Sequence, residues 1–146
     1  MEWIAKLQGK VVGLDTAPLI YFVEENPAYL DATRVFFEAM DRGEFRVITS
    51  MVTLIEVLIH PFRSNNHELA ETYRDIILNA ENLSVIKLSH NIAEKAALLR
   101  ADYDIRTPDA IQMATAVCAG ASFFLTNDTR LPFLSGLKIL QLNKLA

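Results

Sequence analysis

One cysteine, three histidines, five glycines and five prolines are all that the 146 residues hold of the types that build disulfide scaffolds, zinc sites and glycine-rich or proline-rich tracts. The lone Cys118 cannot form an internal disulfide. Its place in the apolar run Ala114 to Cys118 reads as a buried, inert thiol. His60, His67 and His90 are dispersed, and no histidine–cysteine spacing matches a zinc site. They read as solvated or capping residues, although His60, four residues after Glu56, is within reach of a site rim. No stretch approaches 18 apolar residues without charge, which argues against a membrane-spanning helix. The opening Met1-Glu2-Trp3-Ile4-Ala5-Lys6 lacks the basic-then-apolar order of a signal peptide, so a cytoplasmic protein is expected. An excess of basic residues is also missing. Lysine plus arginine number 14 against 18 acids, a formal charge of -4, which excludes coating a long duplex through a basic face.

What the chain does have is core. With 51% apolar and 22% charged residues it suits one folded domain over residues 1–146, with 1–10 as a short lead-in carrying Trp3, Ile4 and Leu7. Val11–Leu14 reads as a buried first strand, continuous rather than alternating. Helices are expected over Thr16–Glu24 and 28–42, then a strand over Arg46–Ile48. Ser50 caps a helix through Leu58, Pro61–Asn66 is a loop, and Leu69, Ala70, Tyr73, Ile76, Ile77 and Ala80 form one helical stripe. A strand over Ser84–Leu88, a helix around Ile92–Leu99, a helix over Pro108–Cys118 and strands at Phe123–Leu125 and Leu137–Leu140 complete the pattern. Strands alternating with helices imply a three-layer α/β/α domain around a central, mostly parallel sheet.

Four acids stand where this pattern turns. Asp15 ends the first strand, Glu56 is the only charge between Ser50 and Leu58, Asp109 follows Arg106-Thr107-Pro108, and Asp128 follows the strand ending Leu125-Thr126-Asn127. Open parallel sheets place their chemistry beyond the carboxyl ends of the strands. Carboxylates are hard oxygen ligands for Mg²⁺ or Mn²⁺, and converging acids repel one another unless a cation lies between them. Taken together they point to a metal-dependent phosphodiesterase. Each acid also has a plainer role. Asp109 suits the second position of a helix capped by Thr107, with Pro108 first, where it favours the helix N-terminus. Asp128 suits an Asx-turn. Asp15 is either a cap or a ligand, and Thr16 would free it by capping instead. Glu56 needs a partner or a metal, because burial without one is costly.

The segments Leu14–Ile20, Thr53–Leu58, Arg106–Ala116 and Leu125–Asp128 resemble the PIN domain, and among its members the VapC-type ribonuclease toxins of toxin–antitoxin pairs. The resemblance runs from Val11 to about Leu142, with the motifs in family order. It implies a metal-dependent endoribonuclease whose metal-holding and catalytic acids are Asp15, Glu56, Asp109 and Asp128, using Mg²⁺ or Mn²⁺ and leaving 5′-phosphate and 3′-hydroxyl ends. Thr126 matches a hydroxyl beside the site, and Asn127 a supporting or substrate contact. Thr16, Arg106 and Arg130 adjoin the acids in sequence and are placed with them as supporting or substrate residues. The family implies RNA as substrate, a homodimer, and a small antitoxin encoded nearby whose tail brings a basic side chain to the acids. An apolar face from Tyr21 through Met40 is the expected partner surface.

Phe36, Phe37, Phe123, Phe124 and Phe133 read as core or dimer contacts rather than base-stacking platforms, and Glu24 and Glu25 as a solvated helix end. Asp102 and Asp104 add negative charge before the Asp109 motif. Three rivals remain. An aspartyl-nucleophile phosphatase is disfavoured because Thr16-Ala17-Pro18 supplies no second acid after Asp15. A PIN-like DNA nuclease and a catalytically silent RNA-associated binding module stay open.

Overall fold

A computed structural model describes residues 1–145. The buried run Val11–Leu14 forms β1, the middle of a five-stranded sheet ordered β3-β2-β1-β4-β5, with β2 at Arg46–Ser50, β3 at Leu83–Ile86, β4 at Phe123–Thr126 and β5 at Lys138–Gln141. Every pairing of these strands is parallel. Successive side chains leave opposite faces. Val12, Leu14, Val47, Leu125 and Leu140 therefore enter one core, while Ile48 and Phe124 enter the other.

The first core is covered by α1 (Glu2–Ala5), α2 (Thr16–Val23), α3 (Leu30–Asp41), α4 (Met51–Arg63) and α5 (His67–Asn79). Against the second lie α6 (His90–Asp102) and α7 (Thr107–Cys118). A short α8, Leu142–Leu145, follows β5 and was not expected from the sequence. These layers are the α/β/α arrangement read from the alternation of elements. The alanines of α7 allow close approach to β1: a Cβ built on Gly13 would stand 2.8 Å from both Ala116 Cβ and Phe124 Cδ1.

Most boundaries shift by one or two residues, and three of the differences have a visible cause. The helix opened by Ser50 continues through Pro61 to Arg63, leaving only Ser64–Asn66 as the connection. Pro61 lies in the last turn, where its missing N–H costs one helical bond, and its ring is buried. α7 is capped by Arg106, not Thr107: Arg106 is extended (φ -76, ψ 157), Thr107 is the first helical residue, and its hydroxyl accepts from Arg100 at 3.0 Å. Asp109 is thus the third helical residue. β3 ends at Ile86, because Ser89 already caps α6 through Ile92 N–H at 3.2 Å.

Cys118 is exposed rather than buried, being the last residue of α7 and two beyond buried Ala116. Phe36, Phe37 and Phe124 are buried and Phe123 packs against the first core, whereas Phe133 is 81% exposed and belongs to neither. Glu24 does end α2 on the solvent side, but it also accepts a hydrogen bond from the buried Tyr73 hydroxyl of α5. Burial, then the Glu24 carboxylate, push that hydroxyl's pKa well up.

Candidate active site

The chain leaves β1 toward β2 on one side, and β4 returns on the other, so a crevice opens beyond the carboxyl ends of β1 and β4. Asp15 begins there, its N–H bonded to Leu125 carbonyl at 2.9 Å. It is extended (φ -79, ψ 168) and is itself the cap of α2, accepting from Thr16 N–H at 2.8 Å. Thr16 does not free it from that role, because the Thr16 hydroxyl donates instead to Glu56 Oε1 at 2.6 Å. Asp15 therefore caps and faces the crevice at once.

Its second oxygen accepts from the Thr126 hydroxyl at 2.7 Å, and the Thr126 oxygen accepts the Asp128 N–H at 2.9 Å. Thr126 thus couples the ends of β1 and β4 to the turn that carries Asp128. Asp109 arrives from the first turn of α7 and Glu56 from the second turn of α4. All four carboxylates line one cleft of about 490 Å³, together with Thr16, Asn127, Arg106 and Arg130. Every residue singled out in the sequence as a site residue is therefore brought to it except Thr126, which is buried directly behind Asp15. No described histidine lines the cleft.

The charges are compensated unevenly. Burial is the main cause that raises the Asp15 pKa; the Thr126 and Thr16 hydrogen bonds oppose it, and the negative charges of Asp109 and Glu56 add to the rise. Partial burial of Asp128 also works against its ionised form. There, however, the Arg130 hydrogen bonds and charge, with Arg106 farther off, outweigh burial and leave the pKa lowered. Arg130 grips Asp128 through Nε–Oδ1 at 3.1 Å and Nη2–Oδ2 at 3.3 Å, and Arg106 Nε lies 3.3 Å from Asp109 Oδ2. Among the described residues no three acidic, histidine or cysteine side chains already form a group that holds an ion. Two of the acids are instead paired with arginine. The donor set is nonetheless all oxygen and mutually repulsive, which fits a hard divalent cation.

Over residues 12–136 the sequence matches the PIN domain family. The chain belongs to that family. Solved structures share its fold, three of them VapBC or toxin–antitoxin complexes. The VapBC2 complex of Rickettsia felis, bound to a promoter DNA fragment, aligns with a TM-score of 0.71 at 19% identity, over 90% of this chain and 98% of that one. A toxin–antitoxin complex from Klebsiella pneumoniae gives 0.63 at 21%, over 87% and 94%. The DNA-bound VapBC of Salmonella typhimurium gives 0.66 at 18%, over 92% and 98%. Among curated proteins none matches the sequence.

In this PIN domain the residue that sequence reasoning missed is Gln112. It is 4% exposed, and its amide joins three elements. The carbonyl oxygen accepts from Ser50 of β2, while the NH₂ group lies 2.8 Å from the Thr53 hydroxyl, 3.2 Å from the Thr16 hydroxyl and 3.4 Å from Asp15 Oδ1. The amide orientation is fixed, because the reverse would set its oxygen against the Asp15 carboxylate. Asn127 lines the cleft and is anchored on both sides: its NH₂ donates to Tyr21 hydroxyl at 3.2 Å and its oxygen accepts Asn143 N–H at 3.0 Å. A readable signal for the buried network did exist. Gln112 is three residues after Asp109, and Thr53 three before Glu56, so each shares a helix face with an acid.

Proposed function

We propose that this PIN domain is a Mg²⁺- or Mn²⁺-dependent endoribonuclease, the toxin of a toxin–antitoxin pair, that hydrolyses internal phosphodiester bonds of RNA as a single cytoplasmic domain. The observation that carries the reading is the convergence of the Asp15, Glu56, Asp109 and Asp128 carboxylates on one cleft, where Asp109 and Glu56 add to the rise in the Asp15 pKa. Such a group of acids is destabilised until positive charge reaches it.

Asp15, Glu56 and Asp109 would hold the principal ion, with Asp128 bound directly or through water. When bound, the ion would supply an acidified water and neutralise charge on the phosphoryl oxygens. The protein's own part is positional. Thr126 and Thr16 N–H fix both oxygens of Asp15, and the Thr16 hydroxyl fixes Glu56. Arg106 and Arg130 stand at the cleft as guanidinium donors suited to phosphate. Of the fold neighbours named above, one is a toxin–antitoxin complex and two are VapBC complexes bound to DNA, which supports a protein partner; the homodimer rests on the family resemblance. A basic side chain from such a partner, entering among the acids, would compete with the ion and so inhibit.

The test is cleavage. With Mn²⁺ the purified protein should cut a structured RNA at internal positions and leave matched single-stranded DNA intact, and EDTA should stop it. Asp15→Asn, Glu56→Gln and Asp109→Asn should each nearly silence cutting, and pairs of them should add little, as residues acting as one unit do. Wild-type cutting by D15N, free of contaminating nuclease, would sink the mechanism.

A further inference from the structure

The cleft does not end at the acids. Arg106, Asp109, Asp128 and Arg130 also wall a small hollow of about 60 Å³ whose lining includes Leu131. Leu131 in turn lines a groove of about 680 Å³ beside β5 and the loop before it. Cleft and hollow thus share Arg106, Asp109, Asp128 and Arg130, Asp104 adds a further acid to the hollow, and hollow and groove meet at Leu131. Gln141, in the groove, reinforces the junction by directing its amide to the Asp128 carbonyl at 3.5 Å.

The chemistry changes from cleft to groove. Four carboxylates line the cleft, but the groove has none and has Lys138 and Lys144 instead. Among the described residues neither lysine makes an ion pair. Phe133, also in the groove, is 81% exposed, the most exposed large apolar residue of the chain. It makes no ring–ring contact and has no cation over it, unlike the other strongly exposed phenylalanine, Phe62, which lies under Arg74. An open aromatic ring and two lysines in one groove are the pattern that binds single-stranded nucleic acid: the ring stacks a base and the cations hold phosphates. A duplex would not use the ring, since its bases are already stacked. The net charge of -4 makes such a local basic stretch necessary if a polyanion is to stay beside four acids.

We propose that the groove along β5 seats the single-stranded RNA flanking the scissile phosphate, with Phe133 stacking a base and Lys138 and Lys144 contacting phosphates. This rests on the ribonuclease reading of the cleft. Fluorescence anisotropy of a labelled single-stranded oligouridylate, recorded at several salt concentrations with EDTA present to stop cutting, tests it, alongside the Mn²⁺ cleavage assay. Phe133→Ala should weaken binding at least about fivefold, whereas Phe133→Tyr should bind like wild type. Lys138→Gln and Lys144→Gln should each lower the salt slope by about 0.7. All these side chains except Lys138's backbone-paired strand position are loop or helix surface sites, so unchanged melting curves separate lost contact from lost fold. If wild type binds and cuts RNA while F133A, K138Q and K144Q match it in affinity and salt slope, the groove proposal is overturned and the nuclease reading stands. If wild type neither binds nor cuts RNA, the ribonuclease reading falls and takes the groove with it. Loss of a co-purifying protein partner by F133A, with RNA affinity unchanged, would make the groove a protein-docking surface and likewise overturn the proposal.

Discussion

Asp15 and Gln112 mark how far single residues could be read. A charge at the end of a buried apolar strand has few outlets, so Asp15 stood out in the sequence. Gln112 did not, because one amide between Ile111 and Met113 looks the same on a wet helix face as on a buried one. Only the packing of α7 against β1 and β2 places it under Asp15. Gln112→Leu should therefore act twice. It leaves the Ser50 hydroxyl without its acceptor and takes one donor from Thr53, which keeps the Thr49 hydroxyl, costing about 1–3 kcal/mol in urea unfolding. It also loosens Thr16 and Asp15, and partners of metal-holding residues typically contribute about 10–100-fold in affinity or activity. Wild-type Mn²⁺ dependence of cutting in Q112L would refute the second effect even if stability falls. Asp15 itself gives a pH signature in chelator. Its folded pKa is raised above the ordinary aspartate value of 3.8, so the folded chain holds that proton more tightly than the unfolded one. Its contribution to stability is therefore favourable at low pH and is lost as pH rises through the window from 3.8 to the folded value. Melting temperatures of wild type and D15N should diverge across that window, with D15N equal or higher at neutral pH. A wild type that gains on D15N as pH rises would contradict it.

At the scale of elements, strands and most helices were legible because parallel strands buried on both faces read as short continuous apolar runs, and amphipathic helices read as stripes. Two ends were not. Pro61 suggested a break, yet a proline in the last turn forfeits a single bond while its buried ring adds packing, so α4 continues to Arg63. The cap of α7 slipped by one residue because Arg100 claims the Thr107 hydroxyl, a contact between helices that local sequence cannot announce. Gly13 is a related case. Four apolar residues in a row spelled a strand, but why one of them lacks a side chain appears only when α7 lies on it. Gly13→Ala would press a methyl to 2.8 Å from Ala116 Cβ and the Phe124 ring. Overpacking of this kind costs about 1–3 kcal/mol, read as a lower urea midpoint with an unchanged m-value. Because β1 also carries Asp15, G13A should lose activity along with stability; an unshifted midpoint would show that α7 yields freely.

For the whole molecule, the surface was the part the sequence hid most. The stretch from Tyr21 through Met40 looked like a face for a partner, but Phe36, Phe37 and Met40 are buried and Tyr21, Phe22 and Tyr29 pack against them. Tyr21 stacks on Tyr29, and Phe22 on Phe37. Hydropathy alone cannot say which side of a helix a neighbour will take. The apolar stripe left open is on α4: Ile55, Ile59 and Phe62, at i, i+4 and i+7, are 61%, 43% and 56% exposed. It lies on the helix that carries Glu56 into the cleft, but on residues that do not themselves line the cleft. On the toxin reading, the product of the neighbouring gene should co-purify with this chain and suppress its nuclease activity, covering that stripe with an apolar segment. The double variant Ile55→Ser, Phe62→Ser should fold as wild type does, since both side chains are largely solvated. It should lose the partner in co-expression pull-downs yet keep cutting RNA with Mn²⁺, because neither residue lines the cleft. A complex that survives both substitutions would place the partner elsewhere, and cutting lost together with the partner would mean that α4's outer face serves the substrate instead.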